Sequence, residues 1–126
     1  MSTNEKPLRW IGASYRELSS FPEQARRKAG HELGLLQDGG MPEDWKPLEG
    51  VGPGACEIRV QTWDGGVVQH RVVYVARFAE AVYVLHAFAK KTEQTSPHNL
   101  QVARARYREM VSDREPLTRK AGNRGC

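Results

Sequence analysis

The amino-acid sequence predicts a single α+β domain in which helices pack on one face of a small antiparallel sheet. The chain has 126 residues, enough for one compact domain and too few for two ordinary ones. Its patterns follow one another as a strand, two helices, three strands and a last helix. Turn signals separate the three consecutive strands, which are therefore expected to pair antiparallel.

The N-terminal part of the sequence predicts a short strand and two helices. Leu8–Ile11 is an apolar run between a proline and a glycine, which is typical of a strand. Ser14–Leu18 is expected to form a brief helical turn. Ser20 and Glu23 have the spacing of a capping box and predict the start of the second helix. Apolar residues then recur at helical spacing until glycines end the helix; they are Ala25, Ala29, Leu33 and Leu36.

The middle of the chain predicts a long loop and three strands. Residues 39–54 are rich in Gly and Pro, so we expect a loop that Trp45 anchors to the domain. Apolar and polar residues alternate in Ala55–Trp63, and an Asp-Gly-Gly turn follows this strand. Val67–Arg77 and Ala81–Phe88 are apolar on nearly both faces, as expected of central strands.

The end of the chain predicts one more helix, from about Pro97 to Val111. Residues 113–126 contain Gly, Pro and scattered charges, so we expect a flexible basic tail after a domain that covers residues 1–112. The sequence has no apolar stretch of membrane-spanning length and no signal-peptide pattern. We therefore expect a cytoplasmic protein that does not contact a membrane.

The charge of the chain is unevenly distributed. Residues 1–58 contain seven Lys and Arg against nine Asp and Glu, a net charge of −2. Residues 59–126 contain twelve against six, a net charge of +6. A cationic second half is suited to a polyanion such as RNA or DNA. The alternative is a set of solvated lysines and arginines with no such partner.

The sequence predicts neither a metal site nor a cofactor. Its two cysteines lie far apart, and its four histidines lack the spacing of metal ligands. No phosphate-binding glycine loop follows a strand, and no Ser/His/Asp arrangement is evident. His70 and His86 fall in strands and are expected to be hydrogen-bonded core groups, whereas His31 lies on the polar side of the second helix.

Four cations near the predicted strand ends are candidates for chemistry; they are Arg59, Arg71, Lys90 and Lys91. Because an unpaired buried charge is costly, the two arginines must reach solvent, form ion pairs or line a groove. Such a cluster would hold a phosphate backbone and stabilise the charge that develops on a cleaved phosphodiester. The alternative is a polar outer sheet face on which Glu57 pairs with Arg59 or Arg71.

The last helix offers further candidates. His98, near its start, is a candidate for proton transfer, because imidazole exchanges protons near neutral pH. Arg104, Arg106 and Arg108 fan around the helix. They are expected to be solvated or to contact a partner, with direct RNA binding as the alternative.

An ordered series of motifs runs through the chain. The motifs are Arg9–Gly12, Phe21-Pro22 with Ala25-Arg26, Pro42–Leu48, Glu57–Arg59, Arg71–Ala76 and Val84–Thr92. Together they resemble the phage-related branch of the HigB toxins in the RelE superfamily. The resemblance covers about residues 8–112. Its most specific parts are the D-W-K-P and F-x-K-K-T segments in this order.

The resemblance implies a RelE-like fold, with two N-terminal helices on one face of a small antiparallel sheet and a C-terminal helix. It implies the toxin of a type II toxin–antitoxin pair, a ribosome-dependent endoribonuclease that cuts translated mRNA by metal-independent attack of the ribose 2′-hydroxyl. The implied partners are the ribosome, mRNA and a helix-turn-helix antitoxin of the HigA type, through which alone the toxin would contact operator DNA.

The resemblance also implies roles for single residues. Arg59 lies at a strand position that often carries a cation, and Arg71 matches a catalytic arginine. Lys91 matches a cation that supports the leaving group, and His98 stands near where some relatives carry a tyrosine. The RNA-binding residues that the resemblance implies are Lys46 and Lys90.

Two other functions stay open at this point. A catalytically idle module of the same fold would act as co-repressor with its antitoxin, because function depends on the site rather than on the scaffold. A phage-derived structural or interaction protein would have no toxicity. Intact Arg59, Arg71 and Lys91 favour the enzyme.

Overall fold

The computed structural model of the chain describes residues 5–91 and 94–124, with side chains up to residue 115. The fold is α+β, as predicted from the sequence. No helix within the described residues is both long and apolar enough to cross a membrane. The elements are β1 (Leu8–Trp10), α1 (Ser14–Ser19), α2 (Glu23–Gln37), β2 (Trp45–Pro47), β3 (Ala55–Trp63), β4 (Val67–Val75), β5 (Val82–Lys90) and α3 (Pro97–Arg124).

The five strands form one mixed sheet in the order β1-β5-β4-β3-β2. The pairs β3–β4 and β4–β5 are antiparallel, as predicted. Strand β2 also pairs antiparallel with β3, whereas β1 lies parallel to β5 at the sheet edge. Strand β2 lies inside the segment predicted as a loop. It forms because Trp45 pairs with Ile58 at the free edge of β3, where Pro47 is tolerated without an N–H group to donate.

Helix α2 packs against one face of the sheet, which we call the α2 face. The four apolar residues that the sequence predicted for its stripe are all buried. Burial of this stripe against the sheet removes apolar surface from water, which is the main favourable term in folding. The strand residues that meet the stripe are Ile58, Val60, Val72, Tyr74, Val82 and Val84.

The predicted capping box at the start of α2 is wrong. Pro22 occupies the N-cap position, and no side chain caps the helix. Ser20 is instead the C-cap of α1, and its Oγ donates a hydrogen bond to the carbonyl of Glu17 at 2.7 Å. Because α1 ends at Ser19, the serine satisfies the end of that helix rather than the start of the next.

Helix α3 covers the opposite face of the sheet, which we call the α3 face. The helices therefore lie on both faces of the sheet, whereas the sequence predicted helices on one face. The cause lies in the central strands, which are apolar on both sides. Val73, Val75 and Leu85 point away from α2 and need a second apolar layer. Buried Ala103 and Met110 of α3 supply it. The sheet is therefore the middle of three layers.

Helix α3 extends to Arg124, beyond its predicted end near Val111. Arg114 anchors the first of the added turns, because its guanidinium donates to the carboxylate of Glu80 and lies 3.4 Å from the ring centroid of Phe78. The hydrogen bond from Arg114 lowers the pKa of Glu80 to about 2. Residues 113–124 are thus helical where a tail was predicted, whereas the flexibility of this segment stays a prediction. Residues 125 and 126 lie outside the described residues.

A β-bulge in β5 changes which residues face α3. The β4–β5 pairing shifts between Val73 and Tyr74, which leaves Leu85 as an extra residue. Leu85 joins the apolar cluster under α3, while the ring of His86 stacks on Phe88 with centroids 4.9 Å apart. The bulge therefore brings an imidazole to the α3 face.

Candidate functional site

On the α3 face, the parts of β2, β3 and β4 that α3 leaves uncovered are polar, because α3 packs chiefly against β5. The sheet register brings four cations together there. Arg59 lies directly opposite Arg71, and Lys46 lies opposite Glu57. Lys90 pairs with Gln69 and is thus the diagonal neighbour of Arg71. We call Lys46, Arg59, Arg71 and Lys90 the basic cluster.

Arg71 and Glu57 form the buried floor of the basic cluster. The Glu57 side chain is 0% exposed and that of Arg71 is 6% exposed. Glu57 Oε1 lies 3.6 Å from Arg71 Nε and 3.5 Å from Lys46 Nζ. Neither Glu57 oxygen accepts a hydrogen bond from the described residues. Because a buried carboxylate without hydrogen bonds is costly, the two ion pairs are what stabilise it.

Arg71 is held on three sides. Its Nη2 donates to Oε1 of Gln69 at 2.8 Å, its Nη1 donates to the carbonyl of His70 at 3.1 Å, and its Nε faces Glu57. Burial lowers the pKa of Arg71, and the charge of Glu57 raises it. A guanidinium stays protonated in proteins. Arg71 is thus a fixed cation in a nearly dry position, where charge stabilisation is strongest.

Arg59 and Asp44 form the exposed rim of the cluster. Nη2 and Nε of Arg59 lie 2.7 and 2.8 Å from Oδ1 of Asp44, and both side chains are about half exposed. Exposed ion pairs of this kind contribute at most about 1 kcal/mol. A polyanion that approaches the rim therefore competes with Asp44 for Arg59 at little cost.

Lys90 is the half-buried cation of the cluster. Burial lowers the pKa of Lys90, and the charge of Arg71 lowers it further, while Glu57 opposes this effect. Among the described residues no carboxylate lies within ion-pair distance of the Lys90 ammonium. A lysine with a lowered pKa has a larger neutral fraction near neutral pH, which lets it accept a proton.

The charges of the cluster do not cancel. Among the described residues its four cations face two carboxylates, Glu57 and Asp44, so these six side chains have a net charge of +2. A cavity of about 630 Å³ adjoins Lys46 between β2 and the start of α3, and its wall also contains Glu49. The excess of positive charge therefore lies on the cluster rather than in the cavity, and it suits an extended polyanion.

A second polar cluster joins α1, β5 and α3. Glu17 accepts hydrogen bonds from both Nη atoms of Arg106 at 2.7 and 2.9 Å, and from the backbone N–H of Ala87 at 3.2 Å. Nδ1 of His86 lies 2.9 Å from Glu17, and Nε2 lies 2.8 Å from Oδ1 of Asn99. Burial raises the pKa of Glu17, but the hydrogen bonds from Arg106 and His86 outweigh it and lower the value to about 2.

This second cluster corrects one prediction and confirms another. Arg106 was expected to be solvated or to contact a partner, but it is largely buried and pairs with Glu17. His86 was expected to be a hydrogen-bonded core group, which is confirmed. The hydrogen bonds of this second cluster connect α3 to the sheet beside Phe88, the residue opposite Arg71.

The structure brings four of the six predicted site residues together. Lys91 follows the last residue of β5 and is exposed, and His98 is exposed at the start of α3. Within residues 5–91 and 94–124, no ion pair or hydrogen bond joins either of them to the basic cluster. Successive residues of a strand point to opposite faces, so Lys90 rather than Lys91 faces Arg71. The four residues that meet are Lys46, Arg59, Arg71 and Lys90.

Glu57 is the site residue that the sequence did not identify as functional. The pattern offered it only as an ion-pair partner of Arg59 or Arg71, and it pairs with Arg71 and Lys46. Its position two residues before Arg59 in an alternating strand was the available signal, because it places the carboxylate on the face of the cations.

The remaining strand histidine belongs to the core. His70 is buried against Phe21, with ring centroids 4.3 Å apart, and its Nδ1 makes no hydrogen bond to the described residues. Burial lowers the pKa of His70. In the described part of the chain, no group of three or more His, Cys, Asp or Glu side chains is placed to hold a metal ion.

Comparison with known proteins gives one match. Residues 16–108, about three quarters of the chain, match the model of a family described as phage derived protein Gp49-like (DUF891). The matched span begins in α1, ends in α3 and contains the whole basic cluster. A search of curated proteins found no match.

Proposed function

Because the chain belongs to the Gp49-like family of phage-derived proteins, a RelE/ParE-like toxin family, we propose that it is the toxin of a toxin–antitoxin pair and cleaves RNA at the basic cluster. The activity that we propose is that of a HigB-type toxin, a ribosome-dependent endoribonuclease acting on translated mRNA. One observation carries the proposal: four strands each contribute one cation to a single cluster with a net charge of +2.

The proposed reaction is an internal transfer at phosphorus. The ribose 2′-hydroxyl attacks the adjacent phosphate, a bond forms between O2′ and phosphorus, and the bond from phosphorus to O5′ breaks. The products are a 2′,3′-cyclic phosphate and a 5′-hydroxyl. Lys90 accepts the proton of the 2′-hydroxyl, and the ammonium of Lys46 donates a proton to the leaving O5′. Solvent restores both lysines.

The arginines bind and stabilise the phosphate in this proposal. Arg71 neutralises the charge that develops on the non-bridging oxygens, because it is fixed by Gln69 and Glu57 before the substrate arrives. Arg59 leaves Asp44 to bind the backbone at the rim. These side chains supply each step, so we propose a metal-independent reaction. Lys90 and Lys46 take the roles that the sequence suggested for Lys91 and His98.

The ribosome and an antitoxin complete the proposed system. Attack by the 2′-hydroxyl requires alignment with the leaving oxygen, and we propose that the ribosome supplies this alignment by holding the mRNA. The family suggests an antitoxin partner. We propose a helix-turn-helix antitoxin of the HigA type, through which the toxin contacts operator DNA.

A second candidate function has an observation in its favour. Arg59 and Arg71 both face carboxylates, which reduces the positive charge available to RNA. A catalytically idle module that acts as co-repressor would tolerate such pairing. Lys90 favours the enzyme, because an idle module has no need of a half-buried ammonium that, among the described residues, has no carboxylate within ion-pair distance.

Expression of the full chain without its antitoxin tests the proposed function. We expect growth arrest, and new 5′ ends within translated mRNA when the purified protein is added to translating ribosomes. Arg71→Ala should abolish both the growth arrest and the new 5′ ends. Arg71→Lys keeps a cation beside Glu57 and therefore separates loss of catalysis from loss of folding. Lys91→Ala is the matched control and should behave like the wild type. Intact mRNA at high toxin concentration contradicts the proposal, and absence of growth arrest with normal antitoxin binding supports the idle module.

A further inference from the structure

Trp63 is the most exposed large hydrophobic residue in the described part of the chain. Its exposed fraction is 66%, and that of Val67, its partner across the β3–β4 hairpin, is 50%. The Asp64–Gly66 turn follows directly, so both side chains stand at the tip of the hairpin. An exposed tryptophan beside an exposed valine is costly in water and indicates a contact surface.

This hairpin tip continues the ladder of the basic cluster. Moving outward along β3 and β4, the facing pairs on one side of the sheet are Arg59 with Arg71, Gln61 with Gln69, and Trp63 with Val67. The order is thus cations, then amides, then an aromatic ring. Trp63 lies four positions after Arg59 along the strand, a span of about 13 Å, which a single RNA strand covers with a few nucleotides.

A further cation lies near the indole. Trp63 borders a cavity of about 540 Å³ whose charged wall residues are two cations and two carboxylates, namely Arg27, Lys28, Glu32 and Glu43. Lys28 Nζ donates to the carbonyl of Gln61 at 3.0 Å, and no carboxylate of the described residues lies within ion-pair distance of it. Trp63 is therefore flanked by the basic cluster along the strand and by Lys28 at the strand edge.

We propose that Trp63, supported by Val67, is a stacking platform for a nucleobase of the single-stranded RNA whose backbone lies on the basic cluster. Aromatic rings beside cationic grooves bind single strands in this way, since every base has a π-face. The amide pair of Gln61 and Gln69 lies between phosphate contacts and stacked base, where it reaches polar base edges. The proposal rests on the proposed function only in taking RNA as the ligand.

Binding of a labelled, 2′-O-methylated single-stranded RNA of about 12 nucleotides tests this subsite, because the methyl group blocks cleavage. We expect Trp63→Ala to weaken binding at least about fivefold and Trp63→Phe to restore most of the loss. Trp63→Ala should leave the slope of log affinity against log salt unchanged, whereas Arg59→Ala should reduce it by about 1. The matched control is Met41→Ala, a second exposed apolar residue on another surface.

Three outcomes overturn the proposal: equal affinity of Trp63→Ala and the wild type, a reduced salt slope in Trp63→Ala, or no binding of this RNA by the wild type. A Trp63→Ala protein that loses antitoxin binding while it keeps RNA affinity assigns the surface to the protein partner and also overturns it. Failure of the proposed function is a separate result, in which the wild type binds this RNA through Trp63 but leaves ribosome-bound mRNA intact.

Discussion

Glu57 and Asp44, the two carboxylates that face the basic cluster, are predicted to differ sharply in their contribution to the free energy of unfolding. Glu57 is fully buried, with cations 3.5 and 3.6 Å away on two sides. Asp44 is about half exposed and meets one cation, Arg59, at 2.7 Å. Glu57→Gln and Asp44→Asn remove one negative charge each with little change of shape, so they form a matched pair of perturbations.

The expected magnitudes follow from burial rather than from distance. A unit charge pair at 3.6 Å attracts by about 5 kcal/mol at an effective dielectric constant of about 20, and the desolvation of buried groups offsets much of this. Removing one partner of a buried pair leaves the other charge unpaired, which costs about 3–5 kcal/mol. An exposed pair contributes less than about 1 kcal/mol, although its distance is shorter.

Urea unfolding at pH 7 and low salt measures both effects. We expect Glu57→Gln to lower the free energy of unfolding by about 3–5 kcal/mol and Asp44→Asn by less than about 1 kcal/mol. Added inorganic phosphate should restore part of the stability of Glu57→Gln, because an anion replaces the missing charge beside Arg71. Equal losses in the two variants, or a Glu57→Gln protein as stable as the wild type, would refute the reasoning.

Three further predictions concern other parts of the molecule. Lys90→Ala should slow mRNA cleavage on ribosomes by about 10²–10⁴-fold, while Lys91→Ala stays near the wild-type rate. The wild-type rate should rise with pH as Lys90 loses its proton. A larger loss of rate in Lys91→Ala than in Lys90→Ala contradicts the assignment. Glu17 is 24% exposed and has a pKa of about 2, against a usual value of 4.5. Ionised Glu17 therefore stabilises the folded state above pH 4.5, and this contribution is lost as the pH falls towards 2. In urea titrations Glu17→Gln should therefore cost about 2 kcal/mol at pH 7 and converge with the wild type near pH 2; a constant difference argues against the linkage. Gly52→Ala places a Cβ 2.5 Å from the ring of Tyr107, which should lower the melting temperature by several degrees, and an unchanged value shows that the loop shifts freely.

Local sequence patterns predicted most of the fold. Strand β3 has its predicted bounds, Ala55–Trp63, because strict alternation and the following Asp-Gly-Gly turn define both its faces and its end. The short strand β2 was missed, since three residues around Trp45 form a strand only through pairing with β3. The same holds for the first turn of α3 beyond Val111, which the contact of Arg114 with Glu80 stabilises.

The sequence identified the cations of the candidate site but not their arrangement in space. The hairpin register made it possible to place Arg59 beside Arg71. The choice between Lys90 and Lys91 depends on the residue at which β5 ends, and boundaries are the least certain part of a pattern. Glu17 and Arg106 are 89 residues apart in sequence, so their pairing depends on the tertiary packing of α1 against α3.

Chemical analysis of the RNA termini is the most direct test of the claim that the basic cluster cleaves RNA by 2′-hydroxyl attack. Purified toxin is added to ribosomes translating a defined mRNA, and the ends of the fragments are identified. We predict 2′,3′-cyclic phosphates and 5′-hydroxyls with the wild type and uncut mRNA with Lys90→Ala. Fragments with 5′-phosphates, or mRNA that the wild type leaves whole, would contradict the claim.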